Sequence, residues 1–367
     1  MILLRSWPRL RRVLHYVGLA GAVLLALIAV LSLIPHQPKL AGIRPRASTK
    51  YWPMRGGYRI AYTRVPAAAA GSGAPIIFLH GGPGGYIYES TIATMGRFAA
   101  LGHDVYLYDQ VGSGLSDRRP RPRDYSVDGH LADLHEIVDR HLRAPRVILI
   151  GQSYGGLLSA YYLARHPERV ERAVLTSPGI LEPSIFDRDG RWVNERKYPT
   201  PANLHFRSAP QPEDENFPLD LPIRGIASAV AATAFNRKLA PDAEADGMLN
   251  DFAVGYTVSV VCDARHVQPE EGGLGFYAHI WSNWYSGLDD PRTALRKVKA
   301  PVLVLQGECD FIPYAGAYEY ADLIPRGEYR FVPGAGHEIW WDKPEDFVAL
   351  VSEFLRRPLP NAAAAQR

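Results

Sequence analysis

Four short runs of apolar residues, each ending in a glycine-rich or acidic turn, constrain the fold of this chain more than any other feature. The runs are apolar throughout and do not alternate with polar residues, which is typical of parallel strands covered by helices on both faces. Helix-like stretches follow them, so we predict an α/β fold with a mostly parallel sheet. Ligands bind at the carboxyl ends of strands in such sheets. The runs are Ile76–Leu79, Val105–Tyr108, 147–150 and 302–305.

The beginning of the chain predicts a membrane anchor. Residues 13–34 form an apolar stretch of 22 residues, which as a helix would span about 33 Å and cross a bilayer. The stretch ends without a small-residue cleavage site, so we expect an uncleaved anchor, with a cleaved signal peptide or a buried core helix as the alternatives. Four basic residues lie on each side of it. Because large domains translocate with little regard for their charge, we expect the domain outside the cytoplasm, on the periplasmic side in a bacterium.

The composition excludes several other classes of protein. Hydrophobic residues make up 47% of the 367 residues and charged residues 22%, which fits neither a wholly disordered chain nor a multi-span membrane protein. The formal net charge is +3, but the first twelve residues contain four arginines and no acid, so the remainder carries −1. The basicity therefore belongs to the segment beside the membrane, and we expect no nucleic-acid partner. The oligomeric state stays open.

A change of pattern in the second half of the chain predicts an inserted domain. Prolines crowd the stretch between residues 199 and 222, and helix-like segments follow, which is typical of a cap and not of a continuing sheet. From these patterns we predict a basic flank at 1–12, a transmembrane anchor at 13–34, a linker at 35–50, an α/β core at 51–180 and 292–357, a mainly helical cap at 181–291 and a disordered tail at 358–367.

A GxSxG motif at residues 151–155 makes Ser153 a candidate nucleophile. It lies between an apolar run and a helix-like stretch, where glycines permit the sharp turn that raises a serine hydroxyl above a sheet. Asp310 and His337 each follow a later apolar stretch, and this chain order is known for catalytic triads at strand ends. We expect His337 to accept the proton of the Ser153 hydroxyl and Asp310 to orient the imidazole.

The stretch HGGPG at residues 80–84 follows the first run directly. Acyl transfer places negative charge on a carbonyl oxygen, which two backbone N–H groups must stabilise from about 3 Å away. We expect these to be the amides of Gly82 and Tyr154, and the alternative is a plain tight turn. No Gly-Lys-Ser/Thr follows, so a phosphate-binding loop is excluded.

Metal and cysteine chemistry are not indicated. His135 and His141 are six residues apart, about 240° around a helix, which does not fit the HExxH zinc motif. Cys262 and Cys309 are the two cysteines, which excludes a disulfide scaffold and a four-cysteine zinc site. We expect two unpaired buried thiols, with one bridge as the alternative. No metal, nucleotide or organic cofactor is implied.

Three motifs in this order resemble those of a known family: HGGPG at 80–84, DQVGSGLS at 109–116 and GQSYGG at 151–156. They are similar to the proline iminopeptidase (prolyl aminopeptidase) family of serine peptidases, and the resemblance covers roughly residues 50–357. It implies an α/β-hydrolase fold with a helical cap, the triad Ser153, Asp310 and His337, and an oxyanion hole formed by Gly82 and Tyr154. The implied activity is the release of an N-terminal proline or small residue from peptides through an acyl-enzyme.

The expected substrate-binding region departs from the family pattern. The family usually carries a glutamate in a tryptophan-rich cap segment, whereas the run WSNWY at 281–285 has tyrosine after its second tryptophan. A buried ammonium group must be paired, so Glu213 and Glu215 of the cap are our candidates for holding a substrate amine, unless they are solvated surface charges. Trp340 and Trp341 are candidates for the pocket wall. A carboxylesterase or lipase-like hydrolase of small esters or amides is the alternative, followed by a non-catalytic α/β-hydrolase binding module.

Overall fold

The computed structural model describes residues 8–68, 73–181, 192–211, 222–282 and 288–359. These residues form one eight-stranded sheet. Its strands are β1 (Lys50–Pro53), β2 (Arg59–Val65), β3 (Ile76–Leu79), β4 (Val105–Tyr108), β5 (Val147–Gln152), β6 (Val170–Thr176), β7 (Val302–Cys309) and β8 (Gly327–Gly336). The order across the sheet is β1-β2-β4-β3-β5-β6-β7-β8. The β1–β2 and β2–β4 pairs are antiparallel and the others parallel, so the predicted mostly parallel sheet is confirmed.

The four predicted runs lie in β4, β3 and β5, which are adjacent at the centre of the sheet, and in β7, which lies next to the edge strand β8. Successive residues of a strand point to opposite faces. Ile77 and Leu79 of β3 therefore pack into one hydrophobic core, and Ile76 and Phe78 pack into the other. Both faces of these strands are buried, which explains why their sequences are apolar throughout and do not alternate.

Helices cover both faces of the sheet and bury the two cores. One face is covered by α3 (Val127–Glu136), α4 (Tyr154–Arg165), α9 (Arg292–Leu295) and α10 (Tyr314–Leu323). The other is covered by α2 (Glu89–Gly96), α11 (Ile339–Asp342) and α12 (Pro344–Arg356). Each crossover between parallel strands therefore places a helix on the sheet, as the α/β class requires.

The described residues between β6 and β7 include the helices α5 (Val193–Lys197), α6 (Ile223–Phe235), α7 (Asp242–Tyr256) and α8 (Phe276–Ser282). A third hydrophobic cluster, with Met248 and Tyr277 among its members, joins α6, α7 and α8 to one another. This helical unit, which we call the cap, lies over the carboxyl ends of the strands. The predicted boundaries at 181 and 291 stay predictions, and most of the predicted disordered tail lies outside the described residues.

The N-terminal helix α1 (Pro8–Leu33) contains the apolar stretch of the sequence. Its segment Arg12–Leu33 is long and apolar enough to cross a membrane, and the helix is not buried against the domain. A signal sequence near the N-terminus passes the same test. The linker that follows reaches β1 at Lys50.

The expectation of two free thiols is wrong, because Cys262 and Cys309 form a disulfide with a Cα–Cα distance of 5.2 Å. Cys262 follows α7 in the cap, and Cys309 ends β7 in the core. The two residues are 47 positions apart in the sequence, so only the folding of the cap onto the sheet brings them together.

Candidate active site

The backbone around Ser153 forms a sharp turn between β5 and α4. Ser153 has φ 51° and ψ −117°, a left-handed conformation that is rare and strained for a residue with a side chain. A Cβ atom at Gly155 would lie 2.1 Å from the Leu79 carbonyl oxygen, and one at Gly151 would lie 2.2 Å from the Gly155 oxygen. The turn therefore requires both glycines of the GxSxG motif, for the steric reason that the sequence suggested.

The pairing of β7 with β8 brings Asp310 and His337 together. Cys309 pairs with Gly336 across the two strands, so the residues that follow them lie side by side. Asp310 Oδ1 is 2.7 Å from His337 Nδ1, and both side chains are buried. The Nδ1–H group therefore donates a hydrogen bond to the carboxylate, which leaves Nε2 as the ring nitrogen that can accept a proton.

The ring of Phe311 stacks on His337 with 4.1 Å between the ring centroids. This packing and the bond to Asp310 restrict rotation of the imidazole. His337 and Ser153 line the same cavity, and Ser153 is partly exposed to it. Ser153 and His337 thus reach one cavity from two strand ends, and Asp310 binds His337 from a third; the triad itself stays a prediction.

Gly82 and Tyr154 are positioned on either side of Ser153. Tyr154 begins α4, so its amide belongs to the first turn of the helix, where N–H groups have no carbonyl acceptor within the helix. Gly82 has φ +118°, and a Cβ atom there would lie 2.5 Å from the Gly85 nitrogen. Both residues line the cavity, and their role as the oxyanion hole stays a prediction.

Buried hydrogen bonds to residues of the α/β core hold the loop 80–84 in place. His80 Nδ1 donates to the Gly81 oxygen (2.8 Å) and His80 Nε2 accepts from the Gln110 amide (2.9 Å). Burial lowers the pKa of His80 to about 4, which matches this neutral tautomer. Asp109 accepts from the amides of Ile87 and Leu115 (2.9 and 2.8 Å). The DQVGSGLS motif therefore acts as the support of the loop.

The cap holds the same loop from above. His279 of α8 donates from Nδ1 to the Pro83 oxygen at 2.8 Å, and the Gly275 amide donates to the Gly84 oxygen at 2.8 Å. A Cβ atom at Gly84 would lie 2.6 Å from the Gly275 oxygen. Gly84 is thus needed because the cap backbone approaches the loop so closely.

A cavity of about 550 Å³ lies between the cap and the strand ends. Ser153, His337, Gly82 and Tyr154 line its floor. Aromatic and aliphatic side chains form most of its walls, and these include Tyr86, Tyr88, Leu249, Phe252, Tyr256, Leu274, Trp340 and Trp341. The structure therefore places both tryptophans where the sequence predicted them. Their indole nitrogens are buried and have no hydrogen-bond partner among the described residues.

Two carboxylates that sequence reasoning missed also line this cavity, Glu270 and Glu338. Glu270 accepts hydrogen bonds from the hydroxyls of Tyr86 and Tyr88, the latter at 2.9 Å. Glu338 follows His337, and its Oε2 is buried without a partner among the described residues. Burial raises the pKa of Glu338 to about 7. Its position next to the predicted base is the one signal in the sequence that could have identified it.

The predicted acids Glu213 and Glu215 lie outside the described residues, as does Trp284 of the WSNWY run. The other cap acids that the structure describes do not line the cavity. Five of them are paired with a basic group: Asp242 with Lys238, Glu244 with Arg224, Asp246 with Arg118, Asp251 with His36 and Asp263 with Arg265.

His135 and His141 lie apart, as their spacing indicated. His135 stacks on His166 with 4.3 Å between ring centroids, and His141 packs against Trp52. Among the described residues, no group of three or more histidine, cysteine, aspartate and glutamate side chains is placed to hold a metal ion.

Comparison with known proteins agrees with this geometry. The sequence profile described as "alpha/beta hydrolase fold" matches residues 74–344. The chain therefore belongs to the α/β-hydrolase family. Among solved structures, an esterase from Exiguobacterium antarcticum superimposes with a TM-score of 0.59 at 17% identity, covering 84% of this chain and 99% of that one.

The sequence is also similar to curated proteins that are named proline iminopeptidases. A proline iminopeptidase from Heyndrickxia coagulans is 26% identical over 287 residues, covering 78% of this chain and 91% of the relative. A proline iminopeptidase from Clostridium botulinum is 25% identical over 305 residues, with 81% and 94% covered. Within the family, the chain is a serine hydrolase similar to the proline iminopeptidases.

Proposed function

We propose that this protein is a membrane-anchored serine aminopeptidase that releases an N-terminal proline or small residue from peptides through an acyl-enzyme. The observation that carries the proposal is a single cavity lined by Ser153 and His337 together with the carboxylates of Glu270 and Glu338. A hydrolytic centre beside a buried negative charge suits a substrate that has a charged amine close to its scissile bond.

The proposed chemistry has two halves. Ser153 Oγ attacks the carbonyl carbon of the first residue while His337 Nε2 accepts its proton and Asp310 stabilises the resulting imidazolium. The amides of Gly82 and Tyr154 donate to the oxyanion. His337 then protonates the leaving amine, which frees the shortened peptide and leaves the first residue as an ester on Ser153. Water, deprotonated by His337, hydrolyses that ester and restores the hydroxyl.

The two carboxylates supply the proposed specificity. A free N-terminal amine is positively charged near neutral pH, and its burial requires an opposite charge. Both Glu270 oxygens already accept from tyrosine hydroxyls, whereas Glu338 offers a buried oxygen without a partner among the described residues. We assign the principal contact with the substrate ammonium to Glu338. Trp340 and Trp341 would pack on the side chain of the first residue.

The proposed membrane anchor is α1. The disulfide indicates on which side of the membrane the hydrolase domain lies. Disulfides form and persist mainly in oxidising compartments outside the cytoplasm. The Cys262–Cys309 bond therefore favours the proposed orientation, with the hydrolase domain outside the cytoplasm. Protease added to intact spheroplasts should degrade the domain, and full protection would contradict this orientation.

A carboxylesterase is the second candidate, because most of the cavity wall is aromatic or aliphatic. The test compares a prolyl arylamide, the same compound acylated on its proline nitrogen, and a short-chain aryl ester. An aminopeptidase should hydrolyse the free-amine compound far faster than the acylated one. Equal rates for the two arylamides, together with fast ester hydrolysis, would favour the esterase.

A further inference from the structure

The outward face of α6 in the cap is apolar, although it is not covered by other described residues. Ile223, Ile226, Val230 and Ala234 recur at the spacing that places residues on one stripe of a helix. Ile226 and Val230 are each 53% exposed. The opposite stripe, which includes Arg224 and Ser228, is buried against the domain. Exposed apolar stripes of this kind mark surfaces that bind a membrane or another protein.

The end of the membrane helix lies directly beside this face. α1 packs against α6, and Arg224 Nη1 donates to the carbonyl oxygen of Ser32 in the last turn of α1 at 2.8 Å. The same guanidinium pairs with Glu244 of α7. The point where α1 ends is therefore fixed to the cap and not to the α/β core.

The chain after α1 is also fastened to the cap. His36 donates from its amide to Glu244 at 2.7 Å, and its Nε2 lies 2.8 Å from Asp251 Oδ2. The amides of Lys39 and Leu40 donate to Asp251 as well, at 3.0 and 3.1 Å. We call residues 35–40 the strap. Six residues reach about 20 Å at full extension, so the strap keeps the cap close to the level at which α1 leaves the bilayer.

Helix α7 has the strap on one face and the cavity on the other. The strap lies against Glu244 and Asp251, and the cavity is lined by Leu249 and Phe252 together with Ala253 and Tyr256. At 100° per residue the centres of these two sets lie about 140° apart around the helix. One helix therefore separates the segment that adjoins the membrane from the site of hydrolysis.

A basic groove lies at the end of the apolar stripe. Arg121, Arg237 and Lys238 line it together with Phe235, which is 71% exposed. Lys238 pairs with Asp242. An apolar helix face with basic residues beside it is typical of helices that lie in the interface of a bilayer containing anionic lipids.

From these contacts we propose that the apolar face of α6 docks the cap onto the surface of the bilayer that α1 spans, with the basic groove on the lipid headgroups. The inference rests on the proposed membrane span. In this arrangement the cap contacts the bilayer surface, and the cavity lies on the other side of α7. The domain is not connected to the membrane by a flexible linker alone.

The test uses the full chain in nanodiscs of phosphatidylcholine and phosphatidylglycerol. Because both native cysteines are in the disulfide, single-cysteine variants can carry the environment-sensitive dye NBD. The positions are Val230→Cys on α6, Leu25→Cys on α1 as the membrane reference, and Glu353→Cys on α12 as the exposed reference on the core. Lipids with a nitroxide near the headgroup quench a dye at the bilayer surface, and lipids with a nitroxide on the acyl chain quench a dye at the depth of Leu25, about 12 Å below the end of α1.

We expect loss of emission at Val230 and Leu25 and no loss at Glu353. Quenching at Leu25 but not at Val230 would overturn the docking and leave the anchor intact. No quenching at Leu25 would overturn the membrane span and, with it, the docking. Quenching at Glu353 would overturn the assignment of the membrane-facing side to the cap. Asp251→Ala, which releases the strap, should reduce quenching at Val230 and leave Leu25 unchanged, and an undiminished Val230 signal would overturn the role of the strap.

Discussion

The α/β core and the cap contribute to the same cavity in different ways. In the core, each candidate catalytic residue follows a buried strand, so strand pairing alone fixes its position, as Cys309 and Gly336 do for Asp310 and His337. In the cap, side chains are set by helix packing and ion pairs, and acids such as Asp242, Glu244 and Asp246 bind basic groups and do not line the cavity. The core therefore positions the candidate catalytic residues, while the cap determines which substrates can enter the cavity.

The largest expected effect comes from a substitution in the α/β core, at the candidate nucleophile. Replacing Ser153 by alanine removes the nucleophile, and we expect kcat to fall by roughly 10⁶-fold, as in serine proteases that lose theirs. A fluorophosphonate probe should label the wild type and not the variant. Ser113→Ala is a matched control, because Ser113 also lies in a glycine-rich turn of the core but donates to the Gln110 oxygen. Equal labelling of wild type and Ser153→Ala would disprove the nucleophile.

Asp310→Asn should have the next largest effect. The amide is neutral and can donate from its NH2 group to Nδ1 of His337, so the imidazole takes the wrong tautomer and its charged form is no longer stabilised, and kcat should fall by roughly 10⁴-fold. Steady-state kinetics with a thermal melt measures this, because a structural defect would lower the melting temperature as well. A kcat within tenfold of wild type would show that Asp310 does not orient the base.

Breaking the covalent link between cap and core should cost stability. Cys262→Ser removes a disulfide between residues 47 positions apart, and we expect the free energy of unfolding to fall by about 2–4 kcal/mol. Urea denaturation measures the change. The double variant Cys262→Ser/Cys309→Ser should lose no more than either single variant, since one bond is removed in each case. An additive loss would contradict the bond.

Glu338→Gln tests whether this carboxylate of the cavity binds the substrate amine. A hydrogen bond between the Glu338 carboxylate and a substrate ammonium contributes about 1.5–3 kcal/mol of binding free energy. Its loss should lower kcat/KM for a prolyl arylamide by roughly 10- to 100-fold. Hydrolysis of a neutral aryl ester should change little. Glu271→Gln is the control, because Glu271 pairs with Arg46 outside the cavity. Equal losses on both substrates would make Glu338 a positioning residue for His337 and not an amine acceptor.

The smallest expected effect is a pH dependence of substrate preference. Burial raises the pKa of Glu338 to about 7, so its carboxyl group is neutral below that pH and charged above it. The KM for the prolyl arylamide, relative to that for the ester, should therefore rise as the pH falls through 7. The ratio removes any pH effect on the catalytic steps that both reactions share. Glu338→Gln should give a flat ratio, and a sloping one would assign the effect to another group.

Prediction from the sequence succeeded where the local pattern and the environment agree. The four predicted runs, 76–79, 105–108, 147–150 and 302–305, contain no charged or amide side chain that would interrupt their apolar pattern. β6 was not identified, because Glu171 and Arg172 interrupt its apolar pattern. The Arg172 guanidinium is buried and donates to the Phe354 oxygen at 3.0 Å, a partner 182 residues away that no local pattern reveals.

From the amino-acid sequence alone we could predict four of the buried parallel strands, the serine turn and the chain order of the proposed triad residues, since these depend on short-range steric rules and on the burial of whole strands. The tertiary structure decided which acids enter the cavity, that Cys262 meets Cys309, and that the strap binds α7. These outcomes depend on contacts between distant segments. The energy of each such contact depends on packing geometry that no single segment encodes.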